Sequence, residues 1–368
     1  MTEVYLSRCN TYDVNEILPL LQNAMTGLNA YNKLTPGAKV LVKPNLLMRR
    51  DPDKATTTHP AVVEALCLLL KERGCVVTIA DTPGGLLNES ILRNLYRETG
   101  MEGVAERTGA KLDTTGEQVT VEVKNAVKSH ILTVLKSAAE ADCIISVGKL
   151  KTHGLTAYTG AVKNLFGLIP GLLKVDYHAR YSDVNSFSEA LMDIANWAQP
   201  TLSIVDGIVA MEGAGPSGGS PRKVGALLVS DNPHALDVVG ASLINLSTDE
   251  VPTLVAAQKF GLLPVPEVIG ESVDSLAVPD FVHAPSDGIR VLTNPMFSAL
   301  VRSHPKVNAK QCVGCGVCAR SCPGKAITII NRIPHFKLHD CIRCYCCQEL
   351  CPNTAISVKQ PFFMKLLH

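Results

Sequence analysis

The sequence predicts an α/β body, a mostly parallel sheet with helices on both faces, followed by a small α+β module at the carboxyl end. Three observations carry this reading. Short runs rich in Val, Ile and Leu alternate with helix-length stretches over residues 1–295. Polar residues gather where those apolar runs end. Nine of the thirteen cysteines fall between Cys312 and Cys351.

The expected strands of the body cover residues 39–47, 75–81, 143–150, 202–209 and 224–230. Near-continuous apolar runs of this length suit strands buried on both faces. Helices are expected at 60–73, 89–98, 188–197 and 234–246. Pro60 fits a first helical turn, with His59 before it, and Gly74 fits the stop. Strand, helix and strand from Lys39 to Asp81 read as one right-handed βαβ unit. Repeated prolines between Pro264 and Pro305 mark a terminal strand or two and then a linker, placed at 296–305. The module occupies 306–360, and an apolar tail, 361–368, is expected to pack back on the protein or on a second copy in a homodimer.

With 368 residues, 46% hydrophobic and 19% charged, the chain can bury a large core. No apolar run is long enough to span a membrane, and Met1–Arg8 does not read as a signal peptide. The net charge of +1 is unevenly spread, because residues 301–368 carry ten Lys and Arg against two Asp and Glu. A basic module on an acidic body suits docking on that body or on an acidic partner. It equally suits compensation of an anionic cofactor. The basic residues are interspersed rather than clustered, so nucleic-acid binding is not expected.

At the strand ends stand Lys43 and Asn45, then Asp81, then Lys149, Lys151 and His153, and then Asp206. In open α/β sheets ligands bind along that edge. With Thr156, Thr159, Lys163 and Asn164, the set suggests a site for a carboxylate or phosphate. The glycine-rich run 206–221 has neither a P-loop nor a dinucleotide fingerprint. Asp206 and Glu212 are alternative metal ligands with His59 or His153, though a carboxylate in such a run also serves as a turn residue and His59 as a helix cap. Cys9, Cys67, Cys75 and Cys143 are scattered and read as small hydrophobes.

The carboxyl-terminal cysteines form two copies of C-x2-C-x2-C-x3-C-P: Cys312, Cys315, Cys318 and Cys322, then Cys341, Cys344, Cys347 and Cys351. This is the bacterial ferredoxin run for 4Fe–4S clusters, in which the fourth cysteine ligates the other cluster. The expected ligand sets are therefore Cys312, Cys315, Cys318 and Cys351, and Cys341, Cys344, Cys347 and Cys322. The module is thus a two-cluster ferredoxin-like unit, and two 4Fe–4S clusters are the expected cofactors. Paired zinc sites are the alternative, but they leave the third cysteine of each run unexplained. Cys346 breaks the repeat and reads as a spare thiol near a cluster. So many free thiolates point to the reducing cytosol.

Val42–Leu46, Thr57–Pro60, Lys149–His153, Thr159–Gly167, Asp206–Ile208 and Glu212–Pro216 together resemble the bacterial and archaeal family named domain of unknown function 362. The resemblance implies a redox role without an assigned reaction, and members often carry a two-cluster ferredoxin domain at the carboxyl end. The expected function is an iron–sulfur protein passing single electrons to or from a partner redox enzyme. The alternative is a reductase or activating enzyme feeding electrons to an anionic small molecule at the strand ends.

Overall fold

The computed structural model describes residues 1–284 and 303–359. The apolar tail and most of the expected linker lie outside the described residues. The strands are β1 (Thr2–Arg8), β2 (Lys39–Pro44), β3 (Val76–Ile79), β4 (Lys111–Leu112), β5 (Gln118–Glu122), β6 (Ile131–Leu135), β7 (Cys143–His153) and β8 (Ala157–Thr159). They continue with β9 (Leu202–Glu212), β10 (Ser220–Ser230), β11 (Pro266–Gly270), β12 (His304–Val307), β13 (Ile327–Ile330), β14 (Ile333–Phe336) and β15 (Ile356–Lys359).

The main sheet runs β11-β1-β10-β9-β7-β2-β3-β4, with β8 attached to β7. Strands β9, β7, β2, β3 and β4 are mutually parallel, and β11 is parallel to β1. Strand β10 is antiparallel to both β9 and β1. The sheet is therefore mostly parallel. Successive side chains of a strand point to opposite faces. Val40 and Val42 of β2 accordingly pack with the helices Val14–Gly27 and Pro60–Glu72. Leu41 packs on the other side with the helix Val184–Ala198. Farther along, Val205 of β9 and Leu228 of β10 meet the helix Pro233–Leu243 on that second face. Both faces are thus covered, which explains the near-continuous apolar runs. The sequence reading missed β1 and the helix Val14–Gly27, whose amphipathic pattern contains Pro19.

Two tertiary details place the functional edge. All eleven residues of β7 are buried, including the polar stretch from Lys149 to His153. The carboxylate of Asp237 accepts from the backbone N–H groups of Ala161 (2.6 Å) and Val162 (3.0 Å), tying down the short helix Ala161–Asn164. That helix passes close over β7 at Gly148.

The carboxyl module repeats one unit twice. Its pairs are β12 with β15 and β13 with β14, both antiparallel, with the short helices Val317–Arg320 and Cys346–Glu349 between them. Its apolar centre is Cys318, Cys347, Cys351, Ala355 and Ile356. The thiols are therefore part of the core, and a group bound among them contributes to folding.

Gly148→Ala tests the close approach of helix and strand. An added Cβ would lie 2.6 Å from the carbonyl oxygen of Gly160. The expected cost is about 1–3 kcal/mol, read as a lower denaturation midpoint with an unchanged slope.

Candidate functional site

The cysteines gather into two sets. Cys312, Cys315, Cys318 and Cys351 ring one void of about 380 Å³. Cys322, Cys341, Cys344 and Cys347 ring another of about 340 Å³. Each void thus takes three thiols from one run and the fourth from the other. The repeat is visible in the hydrogen bonds too. Ala326 N donates to Cys322 Sγ and Ala355 N to Cys351 Sγ, both at 3.2 Å. Among the described residues all thirteen cysteines are free thiols, and no three His, Cys, Asp or Glu side chains meet closely enough to hold a single ion. Four thiols around a void fit the donor set that a 4Fe–4S cluster takes. Cys315 of the first void is exposed, whereas Cys347 of the second is buried.

The second feature is a cleft of about 650 Å³ at the carboxyl ends of β2, β3 and β7. Its floor is built from Lys43, Asn45, Asp81, Lys151, His153, Thr159 and Asn164. Lys163, Lys174 and His178 come from the helices beyond β8, and the module closes it with Cys346, Glu349 and Leu350. Gln348 Nε2 donates to Ala214 O (3.0 Å) and Arg50 Nη2 to Pro352 O (3.1 Å), which seat the module against the body. His153 Nδ1 accepts from Leu155 N (3.0 Å), so its Nε2 carries the proton and meets Glu349 Oε1 at 3.0 Å. Cys346 lines the cleft, and Cys344, two residues before it, lines the inner void.

The polar groups of the cleft divide by what their hydrogen bonds are already doing. Lys43 Nζ donates to Pro44 O (2.8 Å) and Asn164 Oδ1 (3.0 Å) and pairs at 2.8 Å with Asp81 Oδ1. Asn164 also donates to Lys43 O and Ser146 Oγ. These two residues hold β2, β7 and the short helix together. Breaking such a buried ion pair from one side costs about 3–5 kcal/mol. Lys151, by contrast, meets only neutral oxygens among the described residues, Asn45 Oδ1 (2.8 Å) and Thr56 O (2.7 Å). Burial lowers it to about 7. Lys174 likewise donates to Thr82 O and Oγ1, both at 2.7 Å, and burial lowers it to about 7. Burial also lowers Lys163 and His153, and takes His178 down to about 3. Glu349 is pushed up by burial, but His153 and Lys163 more than offset this and keep it ionised.

Several expected members of the site stand elsewhere. Lys149 does not reach the cleft, because it pairs at 2.8 Å with Asp206, its register partner across β7 and β9. Asp206 also accepts from Tyr12 OH (3.0 Å) and His59 N (3.0 Å). His59 is a helix cap, its Nδ1 accepting from Ala61 N at 3.2 Å while its ring stacks on Tyr12 at 3.6 Å. Thr156 donates to Tyr158 O within a turn. Glu212 accepts from Val282 N (3.1 Å). The alternative metal set of Asp206, Glu212 and a histidine is therefore not assembled. The sequence reading missed Lys174 and His178, although their i,i+4 spacing puts them on one helix face. It also missed Cys346 and Glu349 as cleft residues, and no local signal marks them.

Residues 40–242 match the family model described as "Domain of unknown function (DUF362)". The chain belongs to this family. Residues 304–352 match a 4Fe-4S dicluster domain, which encloses both cysteine runs, so this family member carries an iron–sulfur electron-transfer domain. It is 34% identical to a thylakoid-associated protein of Synechocystis sp. over 268 residues, 71% of this chain and 80% of the relative. Among solved structures it is similar to the lactate racemase apoprotein of Thermoanaerobacterium thermosaccharolyticum, with TM-score 0.42 and 12% identity. That match covers 68% of this chain and 58% of the other. A Thermotoga maritima protein matches with TM-score 0.33 and 17% identity, over 56% of this chain and 52% of the other. The DUF362 chain thus spans little more than half the length of these structures. Among its described residues no helix is long and apolar enough to cross a membrane.

Crossed ligation has a direct test. Cys351→Ala should leave the same residual EPR spectrum as Cys312→Ala, and Cys322→Ala the same as Cys341→Ala, each variant losing about half of the iron. Cys346→Ala should keep the full iron content. Pairing of the residual spectra by run instead of across runs would reject the crossed sets.

Proposed function

We propose that this protein carries electrons through two 4Fe–4S clusters and exchanges them with an anionic ligand in the strand-end cleft. One cluster is held by Cys312, Cys315, Cys318 and Cys351, the other by Cys341, Cys344, Cys347 and Cys322. When bound, each cluster takes up or gives up one electron. The observation that carries the proposal is the position of Cys346 and Glu349. Both belong to the helix that supplies Cys347 to the inner void, and both line the cleft that holds four lysines. A carrier serving only an external enzyme has no need of such a cleft beside its inner cluster.

The chain's residues divide the work. Exposed Cys315 and half-buried Cys312 mark the outer end, where a single-electron partner protein reaches the module. The surrounding basic residues suit an acidic partner. Buried Cys347 and Cys346 mark the inner end. The body orients the ligand, and the helix Cys346–Glu349 keeps bulk water from it. Thirteen free thiols suit the reducing cytosol.

Protein reconstituted without oxygen should contain two 4Fe–4S clusters by iron, sulfide and EPR analysis. Lys163→Gln removes a positive charge facing Cys346. It should move the reduction potential of the inner cluster to a more negative value and leave the outer one unchanged, because cluster potentials follow nearby charge. Absence of iron and sulfide, or an inner cluster indifferent to the substitution, would defeat the proposal.

A further inference from the structure

We infer that the cleft binds a small organic dianion, a dicarboxylate or a phosphate monoester, held by Lys151, Lys163, Lys174 and Thr159. The inference rests on reading the cleft as a ligand site and adds the class of ligand and the residues that hold it.

The argument comes from charge and from donors left over. Four lysines and two carboxylates line the cleft. Both carboxylates are engaged: Asp81 takes Lys43 and the backbone N–H of Leu46 (2.6 Å), and Glu349 takes His153. Among the described lining residues Glu349 is then the one carboxylate facing three ammonium groups, Lys151, Lys163 and Lys174, so the charge there stays net positive. Lys151 and Lys174 each have one N–H unused beyond their two bonds to neutral oxygens. Lys163 makes no hydrogen bond among the described residues; its Nζ stands 4.6 Å from the Phe166 ring centroid and 5.5 Å from that of Phe187. Among the described residues the hydroxyl of Thr159 is buried in the cleft wall without a partner. Unpaired buried donors are costly, and here they converge on one space. Their types suit carboxylate or phosphoryl oxygens, since lysine acts as a point charge and threonine as a hydroxyl donor. Leu47, Phe166, Val175, Pro216 and Leu350 line the rest of the wall and give it an apolar surface for a short carbon body.

Affinity should depend on pH with a definite sign. Lys151 and Lys174 titrate at about 7, lowered first by burial. They are charged below that pH and neutral above it, so anion binding weakens as pH rises through 7. The facing groups do not reverse this. Lys43 stays paired to Asp81, and Lys149 to Asp206 behind the cleft. Lys163 repels the other two lysines, while Glu349 from the module opposes that repulsion. His178 and His153 are already neutral in this range.

The test is calorimetric titration of the oxygen-free holoprotein with inorganic phosphate, methyl phosphate and succinate, with acetate as the monoanionic control. At least one dianion should bind roughly tenfold or more tightly than acetate, as expected for an added charged hydrogen bond. Lys163→Gln should weaken that binding by a similar factor, and Lys163→Arg should largely retain it, with intact cluster spectra verifying the fold. Binding of succinate alone assigns a dicarboxylate, and binding of the phosphates alone assigns a phosphoryl group. Acetate binding as tightly as any dianion would overturn the charge class while leaving the ligand site standing. An inner-cluster potential that shifts in Lys163→Gln, with no anion bound by either protein, would show that the lysines only offset cluster charge and would overturn the inference.

Discussion

The site depends on one constraint: charged groups at the carboxyl edge of a parallel sheet are kept out of water. Lys43, Lys149 and Lys151 are buried on or beside the central strands, where an uncompensated ammonium is strongly disfavoured. The body meets the cost for two of them with buried ion pairs, Lys43 with Asp81 and Lys149 with Asp206. Among the described residues it leaves Lys151 with neutral oxygens alone. This division separates residues that hold the edge together from residues free to bind something. It also explains why β7 is buried along its whole length although its second half is polar.

The second dependence is between the two halves of the molecule. Among the described residues the carboxyl module has a small apolar core, in which Ala355, Ile356, Ile327 and Phe336 pack with its own thiols. Its repeat is therefore ordered by what the thiols enclose. It is also ordered by its seat on the body, through Gln348 on Ala214 and Glu349 on His153. The same seat closes the cleft. One contact surface thereby does two things: it fixes the module's orientation, and it brings the loop of the inner cysteine set to the lysines. The inner cysteine set and the lysine-lined cleft become neighbours by this packing and not by any feature of either half alone.

Much was legible because the signals are local. Eight cysteines in two identical runs specify a cage chemistry through spacing alone, and the crossing of the fourth cysteine follows from the reach of a short loop. The strands β2, β3, β7, β9 and β10 stand out because a sheet covered on both faces demands unbroken apolar runs. Strand β1 was less visible, since it pairs at the sheet margin and mixes Thr, Glu, Tyr and Arg with its apolar residues.

By itself the sequence determined the cysteine pattern, the α/β class and the edge of the sheet where the polar residues gather, because each is written in residue type and short-range period. Only the tertiary structure decided which polar residues are structural and which are free, because that depends on partners far away in the chain. Lys43 and Lys149 look like Lys151 in sequence, and Asp81 and Asp206 make them different. The entry of Cys346 and Glu349 into the cleft was likewise settled by packing between distant segments, a relation that no local pattern encodes.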